Sequence, residues 1–215
     1  MTGGRAGGAV LLRVAPPLVW PVIRAIHWLP LLLVALVVPV LAGLARLARP
    51  LTGTEALILL RGAGLLLGAA AAYALVDAMA ASTGAVPAPR WLRQWLRTTL
   101  ALGYATAAWV VTYGIVGLCA VELPPLPDTG LEVLVCVAVA LAGGGFVVRR
   151  VPEPPGATGG AAVLFALLVA TLFVPAGWSP WAGPDSPHWD AIRTGWLLAV
   201  PALLFALALA HRDTR

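Results

Sequence analysis

The sequence has no lysine and no asparagine, only three serines and two cysteines, and just 11% charged residues in a chain of 215. Each shortage excludes some chemistry. Without lysine there is no P-loop, whose phosphate grip needs one, so the chain cannot hydrolyse ATP by that route. None of Ser82, Ser179 and Ser186 sits in a nucleophile elbow. Cys119 and Cys136 lack metal-ligand spacing. They fall in the outer halves of neighbouring apolar runs, where they serve as small apolar residues or, with Cα atoms within about 7 Å, as a disulfide. The three histidines, His27, His188 and His211, are far apart in sequence and lie at the edges of apolar runs, which argues against a histidine metal site. No pair of carboxylates is expected inside an apolar run, where a membrane protease or a proton-coupled carrier carries one. The expectation is therefore no catalytic residue, no cofactor, no metal, and a chain that is not an enzyme.

What is abundant is apolar surface. Sixty per cent of the residues are hydrophobic and the mean hydropathy is +0.92, whereas a soluble domain carries about 25% charged residues to wet its surface. A helix needs about 20 apolar residues to cross the hydrocarbon layer. Six runs qualify: 29–48, 55–76, 98–121, 131–148, 160–178 and 192–210. Proline-rich and glycine-rich stretches such as Pro124-Pro125-Leu126-Pro127 punctuate them. Unpaired backbone groups are costly in lipid, which leaves helices or a closed barrel, and strand-like alternation is absent. The expected fold is an all-α, polytopic bundle of six transmembrane helices in one integral membrane domain, 1–215, whose first part, 1–28, is a cytoplasmic amphipathic segment. The first long apolar run begins only near Leu29, unlike a cleaved signal peptide.

Arginine sets the orientation. Arg5, Arg13 and Arg24 precede the first run, Arg90, Arg93 and Arg97 the third, Arg149 and Arg150 follow the fourth, and Arg212 and Arg215 end the chain. The intervening connections carry Glu122, Asp128, Asp185 and Asp190. The positive-inside rule then puts both termini in the cytoplasm and the protein, multi-pass, in the cell (plasma) membrane. The net charge of +5 is scattered between apolar runs, so it reflects topology and not nucleic-acid binding. Arg46 and Arg49 lie at the first outer connection and run against this rule. Trp20 and Trp28 mark the inner end of the first run, and Trp178, Trp181 and Trp189 the outer connection between the last two. Trp109, midway along the third run, is expected to pack.

Two features remain as candidate sites. Arg61 is the one clear charge inside a run, about one and a half turns below Glu55. It is either a substrate or gating contact or an arginine snorkelling to the interface. Gly64 and Gly68, on the same helix, form a small-residue face that permits close helix contact. The second feature is Arg90-Trp91-Leu92-Arg93-Gln94-Trp95-Leu96-Arg97, which follows Pro87-Ala88-Pro89. At helical spacing Arg90, Arg93, Gln94 and Arg97 share one face, and Trp91, Leu92, Trp95 and Leu96 the other. The pattern predicts a short basic amphipathic helix at the inner membrane surface, its arginines wetted, before the third span begins. It serves as an anchor on anionic lipid or as a docking element.

Six spans, internal termini and an elaborated connection between spans two and three resemble the membrane subunits of type-2 ABC exporters. The stretch from Asp77 through Ser82, Thr83 and Gly84 to Pro87, Pro89 and Arg90, with the tryptophan-led final span ending in Arg212-Asp213, is similar to small permease-like proteins of actinobacteria. That resemblance implies a permease subunit whose second connection carries a coupling helix for a separately encoded ATPase. The implied docking residues are Asp77, Ser82, Thr83, Pro87, Pro89, Arg90, Trp91, Arg93, Trp95 and Arg97. It also assigns 10–27, interrupted by Pro16, Pro17 and Pro21, to an amphipathic connecting helix. The implied partners are the lipid bilayer, the ATPase and a second membrane subunit, identical or different, and no nucleic acid. The same features fit a second reading, a non-transporting membrane scaffold that recruits a partner.

Overall fold

The computed structural model describes residues 19–76, 90–150, 155–183 and 186–212. After a short helix over 19–25 come six long ones. They are α1 (Leu29–Ala48), α2 (Gly53–Ala72, extended by a 3-10 turn, Tyr73–Leu75), α3 (Arg90–Cys119), α4 (Leu126–Arg150), α5 (Pro155–Thr171) and α6 (Trp189–His211). The described residues contain no strand, only an isolated bridge between Leu51 and Ala120. All but α5 are long and apolar enough to cross a membrane. The chain is thus an all-helical, multi-pass membrane protein. The fifth apolar run differs from expectation: its helix ends at Thr171, 17 residues long, and the chain then turns through Ala176–Trp178. At 1.5 Å per residue α5 is about 26 Å long, a little less than the hydrocarbon thickness of about 30 Å.

α4 is the hub. It packs on α2, α5 and α6, while α3 lies against α1 and α2. Lipid gives helices no hydrophobic reason to associate, so close approach of small residues must hold them together. The sequence supplies these residues where the helices meet. A methyl group added at Gly64 would collide with the Val133 side chain, and one at Gly68 would sit 3.2 Å from the Cys136 carbonyl oxygen. The small face of α2 therefore meets α4 within this chain. Gly160 of α5 is as tight and meets backbone: a Cβ there would collide with the Ala140 carbonyl oxygen and lie 2.5 Å from Ala72 Cβ and 3.1 Å from Gly144 Cα. The outer surface is as apolar as the core, with Leu36 on α1 64% and Phe205 on α6 67% exposed. Water would make that surface an aggregation liability, whereas hydrocarbon is its natural solvent.

Trp109 is buried and donates from its indole to the Leu60 carbonyl at 3.1 Å, which ties α3 to α2. Cys119 and Cys136 are both buried and free.

The contact around Gly160 makes a stability prediction. Gly160→Ala should cost about 1–3 kcal/mol, because backbone atoms and a packed methyl must move. Gly103→Ala, where an added Cβ meets nothing within 4 Å, should be neutral or stabilising by up to about 1 kcal/mol. Unfolding of the purified proteins in mixed micelles measures both; equal effects would mean that α2, α4 and α5 do not meet as described.

Candidate functional site

The helix ends sort by charge. At one end the start of α2, the end of α3, the start of α4 and the start of α6 come together. Leu51 exchanges backbone hydrogen bonds with Cys119 and Val121 at 3.0 and 2.9 Å, and Asp128 on α4 faces Arg193 on α6 at 3.4 Å. Every carboxylate among the described residues lies here: Glu55, Glu122, Asp128, Glu132 and Asp190. At the other end α2 finishes, α3 begins, and α4 and α6 finish. Arg90, Arg93, Arg97, Arg149, Arg150 and Arg212 are there, with no carboxylate among the described residues.

Within the acidic end three of the four arginines, Arg49, Arg61 and Arg193, face a carboxylate. Thr52 caps α2: its hydroxyl accepts from the Glu55 amide at 3.3 Å, and the Glu55 carboxylate accepts from the Thr52 amide at 2.9 Å. The same carboxylate takes both arms of the Arg49 guanidinium. Arg49, which runs against the positive-inside count, is thereby cancelled by its own turn. Arg46 has no ion pair among the described residues and remains exposed.

Arg61 forms the central constellation. It donates to both Glu132 oxygens at 2.7 Å and to the Trp181 carbonyl at 2.7 Å. The guanidinium also lies over the Trp181 ring, 5.6 Å from its centroid. Both side chains are withdrawn from solvent, with 16% and 4% exposure. Arg61 does not snorkel; it reaches inward and sideways, because a bidentate carboxylate stands at equal depth on α4. The Trp181 indole donates to Thr171 Oγ1 at 2.8 Å and meets Trp196 edge-on at 5.7 Å. Arg61 thus fastens α2 and α4 to the connection that follows α5. Glu132 and Trp181 were not expected in this role. A signal for Glu132 is in the sequence: it lies six residues into α4 and Arg61 eight into α2, depths of about 9 and 12 Å from the same end.

The basic end corrects the expected surface helix. Arg90 to Arg97 are the first turns of α3, which runs unbroken for 30 residues. Two residues of the polar face turn inward. Gln94 and Arg97 are buried, at 9% and 3% exposure. Arg97 donates to the Val76 carbonyl, and Gln94 donates to that of Leu75 at 3.5 Å. The last carbonyls of a helix have no partner of their own and carry its negative end, which a buried guanidinium satisfies. Arg149 stands at the end of α6, donating at 3.0 Å to the Leu209 carbonyl, which also accepts from the Arg212 amide at 3.3 Å. His211, buried at the end of α6, lies 3.4 Å from the Thr98 hydroxyl and edge-on to Trp95 at 5.1 Å. Trp91, Arg93 and Trp95 are half-buried. Asp77, Ser82, Thr83, Pro87 and Pro89 lie outside the described residues, as does the Arg90 side chain.

Breaking one half of the buried pair is the direct test of it. Glu132→Ala should cost about 3–5 kcal/mol by leaving Arg61 charged and unmatched, and Arg61→Met with Glu132→Leu should recover most of that loss. Equilibrium unfolding in mixed micelles, run as a double-mutant cycle, reads the coupling; additive losses would show that the two residues act separately.

No family model, no curated protein and no solved structure matches this chain.

Proposed function

We propose that this chain is the six-span permease subunit of an ABC transporter of the plasma membrane, with both termini cytoplasmic, that docks a separate ATPase at its basic end. The observation that carries the reading is the build of α3. Thirty residues make it about 45 Å long, about 15 Å more than the hydrocarbon needs. The surplus lies at the arginine-rich end, next to the connection 77–89. Through Arg97 and Gln94 it is bonded to the end of α2, and through Trp95 and Thr98 it touches His211 of α6. A push on the first turns of α3 therefore reaches two other helices at once, which a coupling element requires. α5 is the remaining, sixth span in this frame, and Trp178 beyond it belongs at headgroup level.

The close packing of α2, α4 and α5 around Gly68, Gly144 and Gly160 leaves little room for a path through one bundle. In this reading the path lies between two bundles, so a second membrane subunit, identical or different, is needed. The same closed packing favours the scaffold reading, in which a partner is held and nothing crosses.

Co-purification separates the two. The tagged chain, extracted from its native membrane in mild detergent, should bring with it an ATPase bearing Walker motifs. Arg90→Glu with Arg93→Glu should cut its recovery about 5- to 10-fold at equal membrane levels, since charge pairs across a docking surface contribute about 0.2–1 kcal/mol each and reversal replaces attraction by repulsion. Arg97 is left intact because it holds α3 to α2. If no ATPase accompanies the wild-type chain, the permease reading fails and the scaffold takes its place.

A further inference from the structure

α5 and α6 follow each other in sequence and both pack on α4, yet they hardly touch. Between them runs a cleft. Its upper chamber, about 350 Å³, is walled by Thr171, Trp178, Ile192 and Trp196, with the small residues Ala191 and Gly195 leaving the space open. A second chamber of about 110 Å³ shares Thr171 and Trp196 and continues along α4 past Val135 and Val139, with Leu164 and Leu168 opposite. Leu167, which also lines it, is 50% exposed, and Ala191 and Gly195 are exposed too. The cleft therefore opens sideways through the bundle surface.

We propose that this cleft holds one acyl chain of a bilayer lipid, from the leaflet at the acidic end. Two observations select that occupant. The first is that the polar side-chain atoms of Thr171 and Trp196, which line both chambers, are already engaged. The Thr171 hydroxyl accepts from the Trp181 indole and donates to the Leu168 carbonyl at 2.6 Å, and the Trp196 indole donates to the Pro180 carbonyl at 3.1 Å. A polar ligand would lose its water and find these groups engaged, and water itself would lack the two to four partners it needs. An aliphatic chain asks for none.

The second is size. A spanning helix about 10 Å across and 30 Å long occupies on the order of 2,000 Å³, so a helix from a second copy does not fit. The upper chamber alone falls in the range of about 300–1,000 Å³ usual for small-molecule sites. The roof suits the outer end of a lipid. Trp178 stacks on His188 with ring centroids 4.0 Å apart, and such rings favour the headgroup layer. The roof is also fixed, because Arg61 holds the Trp181 carbonyl from behind.

Photolabelling tests the proposal on the full chain reconstituted in vesicles of phosphatidylcholine and phosphatidylglycerol. The probe is a phosphatidylcholine carrying a diazirine in one acyl chain. Adducts at Leu167, Ile192 and Gly195 should reach a plateau as probe replaces ordinary lipid, whereas adducts at Leu33 and Leu36, exposed on α1, should rise in proportion throughout. Gly195 lines the cleft and an added Cβ there meets nothing within 4 Å, so Gly195→Leu is the substitution chosen to occupy it. It should lower cleft labelling about fivefold or more and leave α1 labelling unchanged, as should Ala191→Leu. Cleft adducts that rise in proportion, like those on α1, would mean bulk lipid only and overturn the proposal. So would labelling that the filling substitutions do not reduce, or chain-to-chain crosslinks at Gly195. If neither variant reconstitutes, the plateau in the wild type decides alone.

Discussion

An arginine about 12 Å inside a lipid-embedded helix has no water to solvate it, and neutralising it within the protein is the condition on which much of this bundle rests. Glu132 meets that condition with two parallel hydrogen bonds, and the remaining donor goes to a backbone carbonyl. The pair is held by geometry as much as by charge, since both groups are fixed on helices already in contact through Gly64 and Gly68. Its third bond has the wider consequence. By holding Trp181, Arg61 fixes the connection that follows α5 and so sets the roof over the gap between α5 and α6. Buried ion pairs are weak sources of net stability, because desolvation offsets most of the attraction. Their use here is positional: they decide where three segments meet.

The same economy of charge explains the two ends. Arg49, Arg61 and Arg193 each face a carboxylate at the acidic end, so little positive charge is left there to count toward topology. At the basic end no described carboxylate balances the arginines. Two of them, Arg97 and Arg149, donate to carbonyls at the ends of α2 and α6, where the helix leaves its negative pole. Arginine is suited to both tasks, since it stays charged and presents several donors in a fixed fork.

Much of the fold was legible in the apolar runs, because lipid forces each to close its own backbone hydrogen bonds. The run 29–48 coincides with α1, and the others locate their helices to within about five residues except at the end of α5, which stops at Thr171 and not 178, and at the start of α3. There the run begins at Thr98 but the helix at Arg90. An apolar window stops at charge, whereas a helix continues as long as its side chains find partners, and those of Gln94 and Arg97 find the carbonyls of α2. Of the polar side of that amphipathic pattern, Gln94 and Arg97 face the bundle and not water, a choice that the pattern alone does not make. Arg61 stood out in sequence as the lone intramembrane charge. Its partner did not, because Glu132 sits near the edge of its run and 71 positions away; only matched depth on adjacent helices links them. The paired Arg49 was likewise read as an exception to the charge rule until its contact with Glu55 cancelled it.

The central claim is that charge left unbalanced at one end orients the whole bundle, and it is tested most directly by asking which end faces the cytoplasm. Cys119 and Cys136 are buried, so single reporter cysteines can be read against a quiet background. Val121→Cys, at a site 78% exposed at the acidic end, and Thr214→Cys, beyond α6, change no charge. A membrane-impermeant maleimide applied to intact cells should label Val121→Cys at once and Thr214→Cys only after permeabilisation. Labelling of Thr214→Cys in intact cells, with Val121→Cys protected, would contradict the account, since the arginine-rich end would then lie outside.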